Sequence, residues 1–433
     1  MARDGKKVSR RGLLGGFAGL GLALGTEFGA LPGPGAAAAR GAEPSPGFVE
    51  GVPISGKAGP GLEPFDLTMV KIMDRHGIPG AAFAIARNGK LVLAKGYGWA
   101  NADTGETVKP DTLFGLASLS KTITAVAILK LVEQGDLGLD DKVFDILKHI
   151  RPAPGARVDP RLAQITVRQC LNHSGGWDRG VTGDPVNWEP QICRAFRLRP
   201  PLTPVQFISF ALGLPLEFDP GTDLKYSNVG YILLGEVIAK VSGQPYRRFV
   251  EENILKPMRI KRAALHPITG KYLPGESFRH LAGSLQPLPP MQLPMVEAAG
   301  GWSGSVVDMV RLLTNLDGSR GKSVLSAKTR ELMRDQPPAP LKPRDNGTWF
   351  GLGWDAVMEK GKAYGYFKEG SYQGMRTFMK RLPGGLNWAL MYNASMEFDQ
   401  VDMRMRAATA EEVHNLVDRF DKYPDIDLFD EFR

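Results

Sequence analysis

The chain has 433 residues, 54 Lys and Arg against 46 Asp and Glu, and a formal charge of +8. With 43% hydrophobic and 23% charged residues it has the composition of an ordinary globular protein, which excludes collagen, a coiled coil and intrinsic disorder. Two cysteines, Cys170 and Cys193, are too few for a disulfide framework or a four-thiolate metal site and allow at most one bridge. The length exceeds what one hydrophobic core usually serves, so two structural units, discontinuous in sequence, are expected.

The basic charge is concentrated at the start. Arg3, Lys6, Lys7, Arg10 and Arg11 stand against Asp4 in the first 11 residues, 5 − 1 = +4 of the total +8. An uncharged, Gly-rich apolar stretch follows from Gly12 to Gly25, and the small residues Ala36 to Ala39 come after it. Basic head, short apolar run and small-residue cleavage region are the parts of an export signal over residues 1–40. The stretch is too short for a spanning helix, which needs about 20 apolar residues, so no stable membrane anchor is expected. Ser9-Arg10-Arg11-Gly12-Leu13-Leu14 resembles the twin-arginine signals of bacterial export. The expected location is therefore periplasmic or secreted, with the twin-arginine export machinery as a partner.

Residues 41–64, rich in Gly, Pro and Ser, read as a flexible leader. The first element is a hairpin, Ala81 to Ala86 and Leu91 to Ala94 about Asn88-Gly89, because both turn residues tolerate positive φ. Leu119 to Gln134 is apolar nearly all round and stops at Gly135, which predicts a buried helix. Val229 to Val241, closed by Ser242-Gly243, and Asp308 to Leu316 read as two more helices. A second hairpin is expected from Met375 to Arg381 and Leu386 to Tyr392 about Leu382-Pro383-Gly384-Gly385. The predicted fold is α/β in the α+β sense: a sheet built from both chain ends (65–139 and 291–420), a mainly helical inserted domain (140–290), and a tail (421–433).

Several chemistries lack their residues. The six histidines are scattered with no H-x-H or H-E-x-x-H spacing, so no metal site or cofactor is expected. Gly301-Trp302-Ser303-Gly304-Ser305 lacks the last Gly of a nucleophile elbow, and Gly321-Lys322-Ser323 lacks the first Gly of a phosphate loop, replaced by Leu316. No basic, aromatic-interleaved patch supports nucleic-acid binding.

Ser118-Leu119-Ser120-Lys121 opens the first buried helix. Residues i and i+3 share a helix face, so the Lys121 amine can reach the Ser118 hydroxyl, and a desolvated lysine is neutral enough to accept its proton. S-x-x-K alone is a weak signal, and Ser319 to Lys322 repeats it in a Gly-rich loop. Tyr226-Ser227-Asn228 and Lys368-Glu369-Gly370-Ser371 complete a set in chain order. With Phe114 to Thr122 (FGLASLSKT), Ile165 to Trp177 (ITVRQCLNHSGGW), Phe218 to Gly230 (FDPGTDLKYSNVG) and Ala298 to Met309 (AAGGWSGSVVDM), these residues give the chain a resemblance from about residue 65 to 395. It resembles the serine β-lactamase and penicillin-binding protein superfamily, in its class C-like branch.

The resemblance implies a β-lactamase/transpeptidase-like fold and an acyl-enzyme on Ser118, with Lys121 as proton acceptor or relay and Tyr226 as general base and acid. It implies that Asn228 holds Lys121 and the substrate, and that Lys368 lowers the Tyr226 pKa. Gly370 lies in the third motif, and the backbone N–H groups of Ser118 and Ser371 would form the oxyanion hole. The expected substrate is a small-molecule ester or amide; D-Ala-D-Ala carboxypeptidase activity, weak β-lactamase activity and a non-turnover penicillin-binding or sensor role are the alternatives. Glu369 stands where class C β-lactamases carry a hydroxyl residue, and a carboxylate there is expected to repel an anionic antibiotic. His173 reads as a packing histidine.

Overall fold

The computed structural model describes residues 47–432, apart from 267–269, 292–293, 345–346, 360–361 and 397–399. The expected signal, 1–40, lies outside the described residues. Residues Pro46–Arg433 form one compact unit.

Strands β1 (Gly47–Val49) and β2 (Val52–Ala58) are followed by helix α1 (Glu63–His76) and by β3 (Gly80–Arg87), β4 (Lys90–Asn101) and β5 (Glu106–Thr107). Helices α2 (Ser120–Gln134), α3 (Asn228–Ser242) and α4 (Val306–Leu316) come next. Strands β6 (Thr348–Phe350), β7 (Asp355–Glu359), β8 (Lys362–Tyr372), β9 (Met375–Leu382) and β10 (Leu386–Tyr392) precede helix α5 (Gln400–Arg419). The strands form an antiparallel ten-stranded sheet in the order β1-β2-β4-β3-β10-β9-β8-β7-β6, with β5 paired to β4.

Both expected hairpins are present. Asn88 and Gly89 take φ of +49° and +75°, the positive values that a tight hairpin turn requires. Strand β3 pairs with β10, and the Asn88 N–H donates to Gly385 O at 2.9 Å, so the turns of the two hairpins lie side by side. That pairing joins the N-terminal and C-terminal halves of the sheet.

The period-2 alternation of the central strands sorts two faces. Phe83 and Ile85 of β3 face α1 and α5 in a cluster with Phe65, Met69, Ile72, Trp388, Leu390, Val413 and Val417. Ala82, Ala84 and Ala86 share the opposite face with Ala389 and Met391, and their small size lets α4 approach closely. That cluster continues through Ile123 and Leu129 of α2 to Ile232 and Leu233 of α3. Gly135 (φ +81°) and Gly243 (φ +68°) end α2 and α3 in the left-handed conformation, as their positions in the sequence predict.

Two segments differ from the sequence expectation. Residues 47–58 of the expected flexible leader are edge strands: β2 pairs with β4, the Ser55 hydroxyl donates to Val108 O at 2.7 Å, and Leu62 is buried. Gly and Pro masked the alternation there. The expected tail also packs. Phe429 is fully buried beneath the Arg311 and Arg320 guanidinium groups, and Arg320 reaches Asp427 at 2.6 Å.

Short helices fill much of the stretch from Val143 to Val250, and the two-residue strands Ala264–Leu265 and His280–Leu281 lie beyond them. Cys170 and Cys193 are free, buried thiols. Among the described residues, no helix is long and apolar enough to cross a membrane, and no cluster of three His, Cys, Asp or Glu could hold a metal ion.

Candidate active site

Ser118 lies in the 3₁₀ turn Ala117–Leu119 that leads into α2. Ala117 has φ +48°, a conformation that costs a residue with a Cβ about 1–2 kcal/mol. The surroundings hold it there. Leu116 N–H donates to Trp302 O at 2.7 Å, and Leu116 O accepts from the Thr377 hydroxyl at 2.9 Å. Strand β8 crosses the turn at Gly370, where a Cβ would stand 2.3 Å from Leu116 O and 3.0 Å from the Ala117 Cβ. This close passage carries the Ser371 backbone past Ser118, the region where the expected oxyanion donors belong.

Lys121, one turn on, is fully buried. Its Nζ lies 3.1 Å from Ser118 Oγ, 2.6 Å from Asn228 Oδ1 and 2.6 Å from Ala299 O. Burial, reinforced by the Lys368 charge, pushes its pKa well below the ordinary lysine range, against the pull of Asp184 and Asp355. A neutral amine has two N–H groups and one lone pair. The two carbonyl oxygens take the N–H groups, which leaves the lone pair for the Ser118 proton.

Tyr226 precedes α3, whose first turn is capped by Ser227 Oγ accepting from Val229 N–H at 3.1 Å. The Tyr226 hydroxyl is 2.5 Å from Ser118 Oγ. His173 packs on its ring at a centroid distance of 4.5 Å, and His173 Nδ1 accepts from Ser227 N–H at 3.2 Å. Burial keeps the imidazole neutral. His173 therefore supports the tyrosine, in agreement with a packing role. Trp302 is fully buried and donates its indole N–H to the Tyr246 hydroxyl.

Lys368 corrects one expectation. Its ammonium is 2% exposed and pairs with Asp355 at 2.9 Å, while Arg344 approaches the other Asp355 oxygen at 3.4 Å. The Lys368 Nζ lies 5.5 Å from the Tyr226 ring centre. Burial nevertheless pushes the Tyr226 phenol well above its ordinary pKa; its bond to Ser118 and the charge of Arg179, whose guanidinium lies 4.4 Å from the ring centre, act in the opposite direction. Tyr226 is a neutral phenol at rest.

The Glu369 argument is also corrected. Lys368 pairs across the strands with Met379, on the face of α2, whereas Glu369 pairs with Phe378 on the opposite face, and its charge acts on Lys380. The Glu369 side chain does not point the way that repulsion of an antibiotic requires.

The structure thus brings Ser118, Lys121, Tyr226, Asn228 and Lys368 together, and Gly370 packs against the turn that carries Ser118. Sequence reasoning missed Asp355, Asp184, Arg179 and the Ala299 carbonyl. Asp355 and Lys368 meet through the register of the β7–β8 pair, which no turn signal marks. Asp184 reaches Asn228 from a loop 44 residues away in sequence. Nothing local announces either contact.

Ser118 thus stands between a buried lysine and a tyrosine, beside an antiparallel sheet with helices on both faces. The chain belongs to the beta-lactamase family, whose pattern matches residues 65–412, and so to the serine β-lactamase and penicillin-binding protein superfamily. It is 32% identical over 194 residues to Protein flp of Staphylococcus aureus strain MW2, covering 44% of this chain and 35% of that one. The chain spans about a third of the length of such curated relatives. Among solved structures, the octameric penicillin-binding protein homologue from Pyrococcus abyssi is 25% identical with a TM-score of 0.63, covering 81% of this chain and 77% of that one. The D-amino acid amidase from Ochrobactrum anthropi SV3, solved with D-phenylalanine, is 21% identical with a TM-score of 0.65, covering 82% of this chain and all of that one. The last likeness shows the fold alone.

Proposed function

We propose that this protein is an exported serine hydrolase of the class C-like branch, which cleaves a carboxylic ester or amide through an acyl-enzyme on Ser118. The observation that carries the reading is Ser118 Oγ held between the buried Lys121 amine, whose pKa burial lowers, at 3.1 Å and the Tyr226 hydroxyl at 2.5 Å. Lys121 takes the Ser118 proton as the oxygen attacks the carbonyl carbon. The Ser118 and Ser371 N–H groups receive the charge on the carbonyl oxygen.

Tyr226, protonated at rest, gives its proton to the leaving group. The phenolate left behind is stabilised by the Lys121 ammonium, by Arg179 and by Lys368, all within 4.4–5.5 Å of the ring centre. In the second half the phenolate takes a proton from the attacking water, and Lys121 returns its proton to Ser118. Each group ends in its starting state.

Mass spectrometry after incubation with an activated p-nitrophenyl ester and, separately, a penicillin tests the reading. A transient Ser118 adduct with released product is expected from the ester. A stable penicillin adduct without ester turnover would instead make the protein a penicillin-binding sensor. Export rests on Arg10 and Arg11: changing both to Lys is expected to leave the precursor in the cytoplasm.

A further inference from the structure

Asn228 makes two short contacts whose directions are chemically fixed. Its Oδ1 accepts from Lys121 Nζ at 2.6 Å, and its Nδ2 donates to Asp184 Oδ2 at 2.6 Å. An amide can turn over and exchange oxygen for nitrogen, but an ionised carboxylate only accepts. Asp184 therefore admits one orientation of Asn228, with the oxygen toward Lys121. Asp184 is itself held: it caps the 3₁₀ turn Pro185–Trp188 by accepting from Val186 N–H at 3.3 Å, and it lies 3.9 Å from the Arg179 guanidinium. Its side chain is 12% exposed.

The consequence falls on the lone pair of Lys121. With Asn228 turned over, its N–H would face the amine and occupy the lone pair that the Ser118 proton needs. We propose that Asp184 is a positioning residue that acts through Asn228, fixing its amide so that the Lys121 lone pair is directed to Ser118. The proposal rests on Ser118 being the acylated nucleophile. Arg179 shares the arrangement, since the same carboxylate lies beside the cation that stands over Tyr226.

The test is the rate of Ser118 acylation by an activated p-nitrophenyl ester, followed by mass spectrometry across pH. It compares the wild type, Asp184→Asn, Asn228→Ala and the double variant. Asn retains the cap and the shape at position 184 but offers both donor and acceptor, so Asn228 is free to turn. Asp184→Asn is expected to slow acylation at the high-pH plateau 10- to 100-fold, on the order of what a misplaced catalytic group costs. In the Asn228→Ala background the same change is expected to alter the plateau less than about threefold, because the residue it acts through is gone.

The Asp184 charge raises the Lys121 pKa, so in both backgrounds its removal moves the acid limb to lower pH. A role confined to folding would lower the plateau equally in both backgrounds. That result, or a plateau unchanged by Asp184→Asn in the otherwise native protein, would overturn the proposal. Acylation is read directly, so an adduct that forms normally but persists counts against the hydrolase reading and not against Asp184.

Discussion

The ammonium of Lys368 is bound to the carboxylate of Asp355 at 2.9 Å, inside the protein and beside Tyr226. The third motif thus brings a compensated cation to the site, and the Asp355 charge works against ionisation of the phenol. Truncation of one partner leaves the other charge buried and unpaired. Asp355→Ala is expected to lower stability by about 3–5 kcal/mol, read from denaturant midpoints. Replacing the pair with Lys368→Met and Asp355→Leu is expected to recover most of that stability but little activity.

The state of Lys121 sets the pH dependence. Its pKa lies below 10.5 and the neutral form accepts the Ser118 proton, so kcat/KM rises with pH through the Lys121 pKa. The Tyr226 pKa lies above 10, so the rate falls only in more alkaline solution, where the leaving group loses its acid. Lys121→Arg keeps a cation that cannot be deprotonated and is expected to lose on the order of 1,000-fold at every pH. The unfolded chain binds the lysine proton up to pH 10.5 while the folded protein has released it, so this group makes stability rise with pH between the two pKa values. Unfolding curves across that interval check the sign.

Arg179 is the principal charge favouring the phenolate, and it lies over the ring rather than on the motif strand. Arg179→Gln is expected to raise the Tyr226 pKa, moving the alkaline limb upward, and to lower kcat about tenfold by removing one cation from the transition state. A kinetic pH profile reads both effects at once.

Gly370 is required by space. A Cβ there would meet Leu116 O and Thr377 Oγ1, each at 2.3 Å. Gly370→Ala therefore pushes the turn that carries Ser118, and a shift near 1 Å costs on the order of 100-fold in rate. Circular dichroism is expected to stay unchanged while kcat falls.

Elements with a local cause were legible in the sequence. Asn88-Gly89 marked one hairpin, Gly135 and Gly243 marked helix ends, and Ser118, Lys121 and Tyr226 stood in family segments. Contacts made across the fold were not. The pairing of β2 with β4 turned residues 47–58 from an expected leader into sheet, and burial of Phe429 packed the expected tail onto the fold. The alternation of β8 places Glu369 on the face away from Lys368, which removes the repulsion expected from its place in the third motif. Asp184 and Asp355 set the electrostatics of the site from distant segments, and only the folded register brings them in.

The central claim is that Ser118 is acylated with Lys121 and Tyr226 as its proton partners. Rapid mixing with an activated p-nitrophenyl ester measures it most directly: a burst of one p-nitrophenolate per active site, followed by slower turnover, is the result this mechanism predicts. A steady rate without a burst, unchanged in Ser118→Ala and without a mass increase on Ser118, would contradict it.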